Sequence, residues 1–171
     1  GPVWTGEVRF NKVWLDQPLR WKRPRDIFVC AHGDLFHEDV PDEWIDTVFG
    51  IMALAPQHRF QVLTKRSARM RQYFAGIPDM PDEPAARAAL IEGSAQKIHH
   101  ERTGEDPSLW LAVHVPLPNV WLGVSAEDQT RANLRIPDLL ATPAAIRYVS
   151  AEPLLGSIDF RRLRPDGIKF T

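Results

Sequence analysis

Four short apolar runs set the rhythm of the chain, at residues 27–31, 60–64, 120–125 and 146–150. Segments with helical spacing separate them. Trp44, Ile45, Val48, Phe49 and Met52 recur on one helical face, opened by Pro41 and stopped by Pro56. Ser67 reads as the N-cap of a helix through Met70, Tyr73 and Phe74. A further helix lies between Glu127 and the Thr142-Pro143 stop. Apolar run, polar exit, helix and apolar run is the grammar of βαβ units. It predicts an α/β fold with a parallel sheet, flanking helices and right-handed crossovers. The last two runs both leave through Val-Ser-Ala-Glu, giving Ser125/Glu127 and Ser150/Glu152.

Residues 76–118 break the rhythm. Pro78, Pro81 and Pro84 mark a loop. An Ala-rich helix over about 85–102 ends at Gly104, and a linker with Pro107, Pro116 and Pro118 follows. The reading is a helical insertion over the strand-end face of one domain covering 1–171. Residues 7–10, 158–160 and 168–170 are weak strand candidates, the last preceded by a Pro165-Asp166-Gly167 turn.

The chain has 171 residues, 44% of them apolar and 25% charged, enough for one domain with a sizeable core. A net charge of −1 predicts neither nucleic-acid nor membrane binding from global electrostatics. No apolar run is long enough to span a bilayer and no secretory signal is visible, and Cys30 is the single cysteine, so the cytoplasm is the expected location. Cys30 itself reads as a small core residue on its strand. The Gly-Pro start without Met leaves a cleavage scar or an excised fragment as alternatives. An eight-stranded barrel takes about 250 residues, so a partial barrel or an open sheet is expected. Its unpaired edges are expected to meet a partner chain or a second copy.

Parallel sheets bind ligands at the carboxyl ends of their strands. His32, Asp34, His37, Thr64, Lys65, Arg66, Ser125, Glu127, Ser150 and Glu152 fall there. Acids, bases and hydroxyls on one rim make a polar pocket for a small-molecule or nucleotide-like ligand. The competing reading is an ion-pair network in which Glu127 and Glu152 meet Lys65 or Arg66. Lys65, Ser125, Glu127, Ser150 and Glu152 are expected to face one cavity containing a carboxylate–cation contact. An acid/base hydrolase pair, Glu127 with Glu152, is a further alternative. His32, Asp34 and His37 have a spacing that a metal could use, but three ligands from one loop are a weak signal, and no metal site is assigned. His99, His100 and His114 read as surface histidines. Arg20, Lys22, Arg23 and Arg25 surround Trp21, a combination that can meet phosphates but more often leaves the ring on the core and the charges solvated. A nucleic-acid or protein-binding module without catalysis stays open.

Five ordered blocks carry a resemblance: PLRWKRPRDIFV (18–29), GDLFHEDVPDEW (33–44), FQVLTKRSARM (60–70), NVWLGVSAEDQ (119–129) and RYVSAEPLLG (147–156). They resemble the three-cysteine-motif phage protein family of bacteriophages and prophages, which is similar to radical S-adenosylmethionine (SAM) enzymes. The resemblance implies a partial (βα) barrel of the radical-SAM type, incomplete at both ends, in a phage's host cytoplasm. It also implies SAM and a [4Fe–4S] cluster as the full-length family's cofactors, with hydroxyls and carboxylates of the rim on the ribose and amino group of SAM. The departure is that Cys30 alone cannot supply three thiolates, so no cofactor is assigned to this chain as it stands. The Gly-rich segment expected after the Ser-Ala-Glu-Pro block is also missing. The chain therefore reads as the middle of such a protein and not a competent enzyme alone.

Overall fold

The computed structural model describes residues 6–76, 83–107 and 111–163, without the side chains of residues 83, 84 and 162. The prolines at 78 and 81, the turn at 165–167 and the candidate strand at 168–170 lie outside the described residues. In chain order the elements are α1 (Lys12–Leu15), a 3₁₀ turn (Gln17–Arg20), β1 (Asp26–Val29), α2 (Asp42–Leu54), β2 (Arg59–Thr64), α3 (Ser67–Ala75) and α4 (Glu83–Thr103). Then come β3 (Val120–Ser125), α5 (Gln129–Ala141), β4 (Ile146–Ser150) and a second 3₁₀ turn (Phe160–Leu163). The strands form one sheet in the order β1-β2-β3-β4, every neighbouring pair parallel. That is the α/β fold the hydrophobic pattern predicts.

Side-chain alternation divides the sheet into two unlike faces. Phe60, Val62, Val120, Leu122 and Val124 are buried on one face, in a core shared with Phe49 and Met52 of α2, Met70 and Phe74 of α3, and Ile136 and Leu139 of α5. Phe28, Leu63, Trp121, Gly123 and Tyr148 alternate onto the other face. Phe28 keeps 48% of its surface exposed and Ile146 43%. Gly123 is required there: a Cβ at that position would lie 2.5 Å from the Tyr148 ring.

Several expectations are corrected. The first strand ends at Val29, and Cys30 is an exposed turn residue with φ +56°, so it is neither on the strand nor in the core. The chain leaves the sheet there because a left-handed residue cannot continue an extended strand. Along β1 exposed and half-buried residues alternate, with Phe28 on the open face. Residues 6–10 and 157–159 form no strand. Phe10 instead stacks on Trp44 at 5.0 Å, and Ile158 packs against the core. Ser67 is the first residue of α3 rather than its cap, and its hydroxyl donates to Asp138 on α5 at 2.8 Å. At α5 the cap is Asp128, whose carboxylate accepts from the backbone of Arg131.

The insertion helix α4 lies in the helix layer against α2, not over the strand ends. Small residues let the two approach: a Cβ on Gly50 would sit 3.0 Å from the backbone nitrogen of Ala95. A buried clasp fixes the contact. Arg87 donates to the Tyr73 carbonyl (3.0 Å), Asp46 (3.0 Å) and Asp42 (2.8 Å); the Tyr73 hydroxyl donates to Asp46 (2.7 Å), and Arg69 also pairs with Asp42. Burial pushes the Asp46 carboxyl up, against the pull of Tyr73 and Arg87. Burial also opposes ionisation of Asp42, but Arg69 and Arg87 outweigh it and hold that carboxyl below its usual range.

Arg87→Met therefore leaves a buried carboxylate unpaired and should cost about 3–5 kcal/mol, read from the urea midpoint at neutral pH. The deficit should shrink as pH falls. Protonation relieves the orphaned Asp46 in the variant, while the wild type loses the contribution of Asp42, whose depressed folded pKa gives stability that is lost as pH falls through it. A deficit independent of pH would contradict this account of the clasp.

Candidate functional site

The carboxyl ends of β1, β2 and β3 are tied together by ions and hydrogen bonds. Asp34, in the loop after β1, is the hub on one side. Its carboxylate accepts from the Phe36 backbone (3.0 Å), the Thr64 hydroxyl (2.7 Å), the Lys65 backbone (3.1 Å) and the Arg66 guanidinium (3.1 Å). Arg66 also grips Glu38 at 2.6 Å. The second hub is Glu127, just beyond β3. Its two oxygens take the Lys65 ammonium at 2.8 Å and Arg135 of α5 at 2.9 Å. Arg135 also donates to the Ser125 carbonyl at 2.8 Å.

Burial opposes ionisation of Glu127. The hydrogen bond from Lys65, a backbone hydrogen bond and the charges of Arg135 and Lys65 outweigh it, so the carboxyl is held below its usual range. The expected carboxylate–cation contact is thus Lys65–Glu127. A general acid needs the opposite shift, so Glu127 is poorly placed for that half of a hydrolase pair.

Ser125 and Ser150 are partners in the β3–β4 register. Neither hydroxyl is bonded to a described residue. Two residues before Ser150, on the same face, the Tyr148 hydroxyl is buried without a partner, and burial pushes its pKa up to about 12. Lys65 is 55% exposed beside this group. Glu152 follows Ser150, exposed and unpaired among the described residues.

The loop that carries His32 and Asp34 also borders a second region. Both line an open groove of about 590 Å³ along the free edge of β1, walled by Phe10, Trp14, Trp21, Phe28 and Trp44. The predicted rim therefore divides. Lys65, Ser125 and Glu127 gather over β2 and β3 with Ser150 alongside on β4, while Asp34 and Arg66 form the loop staple and His32 stands at the groove. His37 accepts from the Asp39 backbone through Nδ1 at 3.2 Å. Among the described residues no group of three or more His, Cys, Asp or Glu side chains is arranged to hold a metal ion. The single cysteine does not fit a three-thiolate cluster site either. His100 and His114 are exposed; the His99 ring lies 3.8 Å from Glu105.

Sequence reasoning missed Arg135, the aromatic wall of the groove and the Arg87 clasp. Arg135 lies two helical turns beyond Glu127, a separation with no motif of its own. The groove forms only when residues 6–21 fold back beside α2.

Glu127→Gln should remove most of the Lys65 and Arg135 attraction and lower stability by about 1–3 kcal/mol at neutral pH, since it leaves a partly buried guanidinium without its carboxylate. A depressed folded pKa contributes stability above the unfolded value and loses it as pH falls through the folded one. The gap between wild type and variant should therefore begin to narrow as pH falls past about 4.5, the ordinary glutamate value, and close below the folded one. A gap that persists or widens in acid would show that Glu127 is not held as a carboxylate.

No helix among the described residues is long and apolar enough to cross a membrane. No curated protein and no solved structure matches the chain. One family model does, over residues 2–168, and it describes a protein family of unknown function, DUF5131; the chain belongs to that family.

Proposed function

We propose that this chain is a ligand-binding segment of a (βα) barrel of the radical-SAM type, taking a nucleotide-like ligand such as SAM at the carboxyl ends of β3 and β4. The carrying observation is the set of hydroxyls on one face, Ser125, Ser150 and Tyr148, that no described residue bonds, with the half-exposed Lys65 side chain at the exit of β2 and the carboxylate of Glu152, unpaired among the described residues, two positions beyond Ser150. Hydroxyls suit ribose oxygens, the ammonium suits a carboxylate or phosphate, and Glu152 suits an amino group. Sequential parallel order with one-sided helices is also what a barrel segment has. The phage-family blocks point the same way. The role is binding rather than catalysis, because Glu127 is neutralised by two cations and one cysteine cannot hold the cluster.

Calorimetric titration with SAM, and separately with AMP, should show saturable one-to-one binding to at least one of them. Ser150→Ala and Lys65→Met should each weaken it about 3- to 10-fold, one hydrogen bond or ion contact apiece; Ser150→Ala should leave the urea midpoint unchanged, while Lys65→Met should also lower it through loss of the Glu127 contact. Absence of binding to both ligands, or binding indifferent to both substitutions, would end the proposal.

A further inference from the structure

The opposite end of the sheet carries a different chemistry. Residues 20–25, Arg-Trp-Lys-Arg-Pro-Arg, lead into β1 at its amino end. The segment is locked from below by His58, which is 1% exposed. The His58 ring accepts from the Arg25 backbone at 3.2 Å through Nδ1, which leaves Nε2 to donate to the Pro18 carbonyl at 2.9 Å. Trp21 packs against that ring edge-on at 6.0 Å. The aromatic is thus anchored and the charges are solvated, as the sequence suggests.

The solvated charges are not scattered. Lys22 and Arg23 are exposed and have no hydrogen bond or ion pair with any described residue. The Arg25 guanidinium lies over the Trp21 ring at 4.4 Å from its centre. Next to it on the sheet, Arg59 lies over Trp121 at 4.6 Å. These two arginines are neighbours: the Arg59 backbone donates to the Arg25 carbonyl at 2.9 Å. The nearby carboxylates leave Lys22, Arg23 and Arg25 without an ion-pair partner among the described residues. Asp16 is shared between Arg20 (2.6 Å) and Arg102 (2.7 Å), and Asp26 is 63% exposed and paired with Arg59 at 3.1 Å.

We propose that this amino-end surface binds single-stranded nucleic acid. Lys22 and Arg23 would meet phosphates, the sequence-independent part of such binding. Arg25 and Arg59 would do more. A guanidinium laid on an indole is held flat, and its other face is a platform for an unpaired base. Two such platforms side by side, one just before β1 and one at the start of β2, suit splayed bases, which a duplex does not offer. A bare point charge such as lysine would serve an acidic peptide equally well; the paired arginine–indole stacks favour a partner with aromatic bases.

The site is separate from the strand-end ligand rim, so the two proposals fail independently. The test is fluorescence anisotropy of a labelled oligodeoxythymidine of about 20 nucleotides, long enough for one site of this kind. A matched duplex and polyglutamate serve as competitors. The single strand should bind in low salt and weaken steeply as salt rises. Lys22→Glu with Arg23→Glu should weaken binding at least about tenfold, because two phosphate contacts become repulsions. Both side chains are exposed and make no hydrogen bond or ion pair with a described residue, so the urea midpoint should not move. Arg25→Lys keeps the charge and removes the plane; it should weaken the single strand more than the duplex. No binding at low salt would overturn the proposal, as would affinity unaffected by the double substitution. Equal competition by polyglutamate would assign the surface to acidic proteins instead, and tighter binding of the duplex would refute the base platforms.

Discussion

Everything in this fold depends on a chiral constraint. A parallel strand pair needs a crossover, and crossovers are right-handed. When the strands also add in sequence order, each next to the last, successive crossovers fall on the same face of the sheet. The buried residues of β2 and β3 accordingly belong to one alternation set, shared with α2, α3 and α5. The price is the other face. Phe28 and Ile146 stay half-exposed there, and Tyr148 covers Gly123 for want of a helix to do so. An apolar sheet face left open is a liability in an isolated domain and the ordinary condition of a barrel segment.

The same constraint gathers the strand exits on one side, where the chain places its carboxylates. Asp34 and Glu127 show how the charges are afforded locally: each is matched by cations from a neighbouring element, and each oxygen is used at least once. A network this complete fixes the positions of β1, β2, β3 and α5 relative to one another. It also leaves little for a ligand. What remains unspent is what the hubs do not reach: the Ser125, Ser150 and Tyr148 hydroxyls and the outer side of Lys65. Sites are found more reliably among such surplus groups than among charges already answered, because a ligand must offer something the protein has not supplied itself.

The legible part of the fold was the part decided by burial. Residues 60–64, 120–125 and 146–150 are apolar because they enter the sheet, so their pattern gave strands and, through their exits, the position of Lys65, Ser125, Glu127 and Ser150. The first run failed at Cys30, where a single left-handed residue ended the strand and no sequence pattern marks a positive φ on cysteine. Ser67 failed for a different reason: a cap is recognised by local spacing, and its hydroxyl was claimed by Asp138, far along the chain. Arg135, Arg87 and the aromatic wall at β1 likewise acquire their roles through contacts across many residues. Glu152 sits in the predicted place in the chain, yet among the described residues it joins no hydrogen bond or ion pair, because β4 is the last strand of the sheet and no described cation reaches it.

A net charge of −1 is a poor guide to a surface whose charges are sorted. At the carboxyl ends Asp34, Glu38 and Glu127 sit among their own cations, so that end is close to balance. At the amino ends Lys22, Arg23 and Arg25 are left over. With a screening length of about 8 Å in physiological salt, a polyanion at the amino end responds to that local excess and hardly at all to acids at the far end of the strands. Whole-chain neutrality argues against a basic protein; it does not argue against a basic edge. That edge is held in place by a buried histidine whose two nitrogens both bond backbone, which is a larger investment in order than solvated charges alone require.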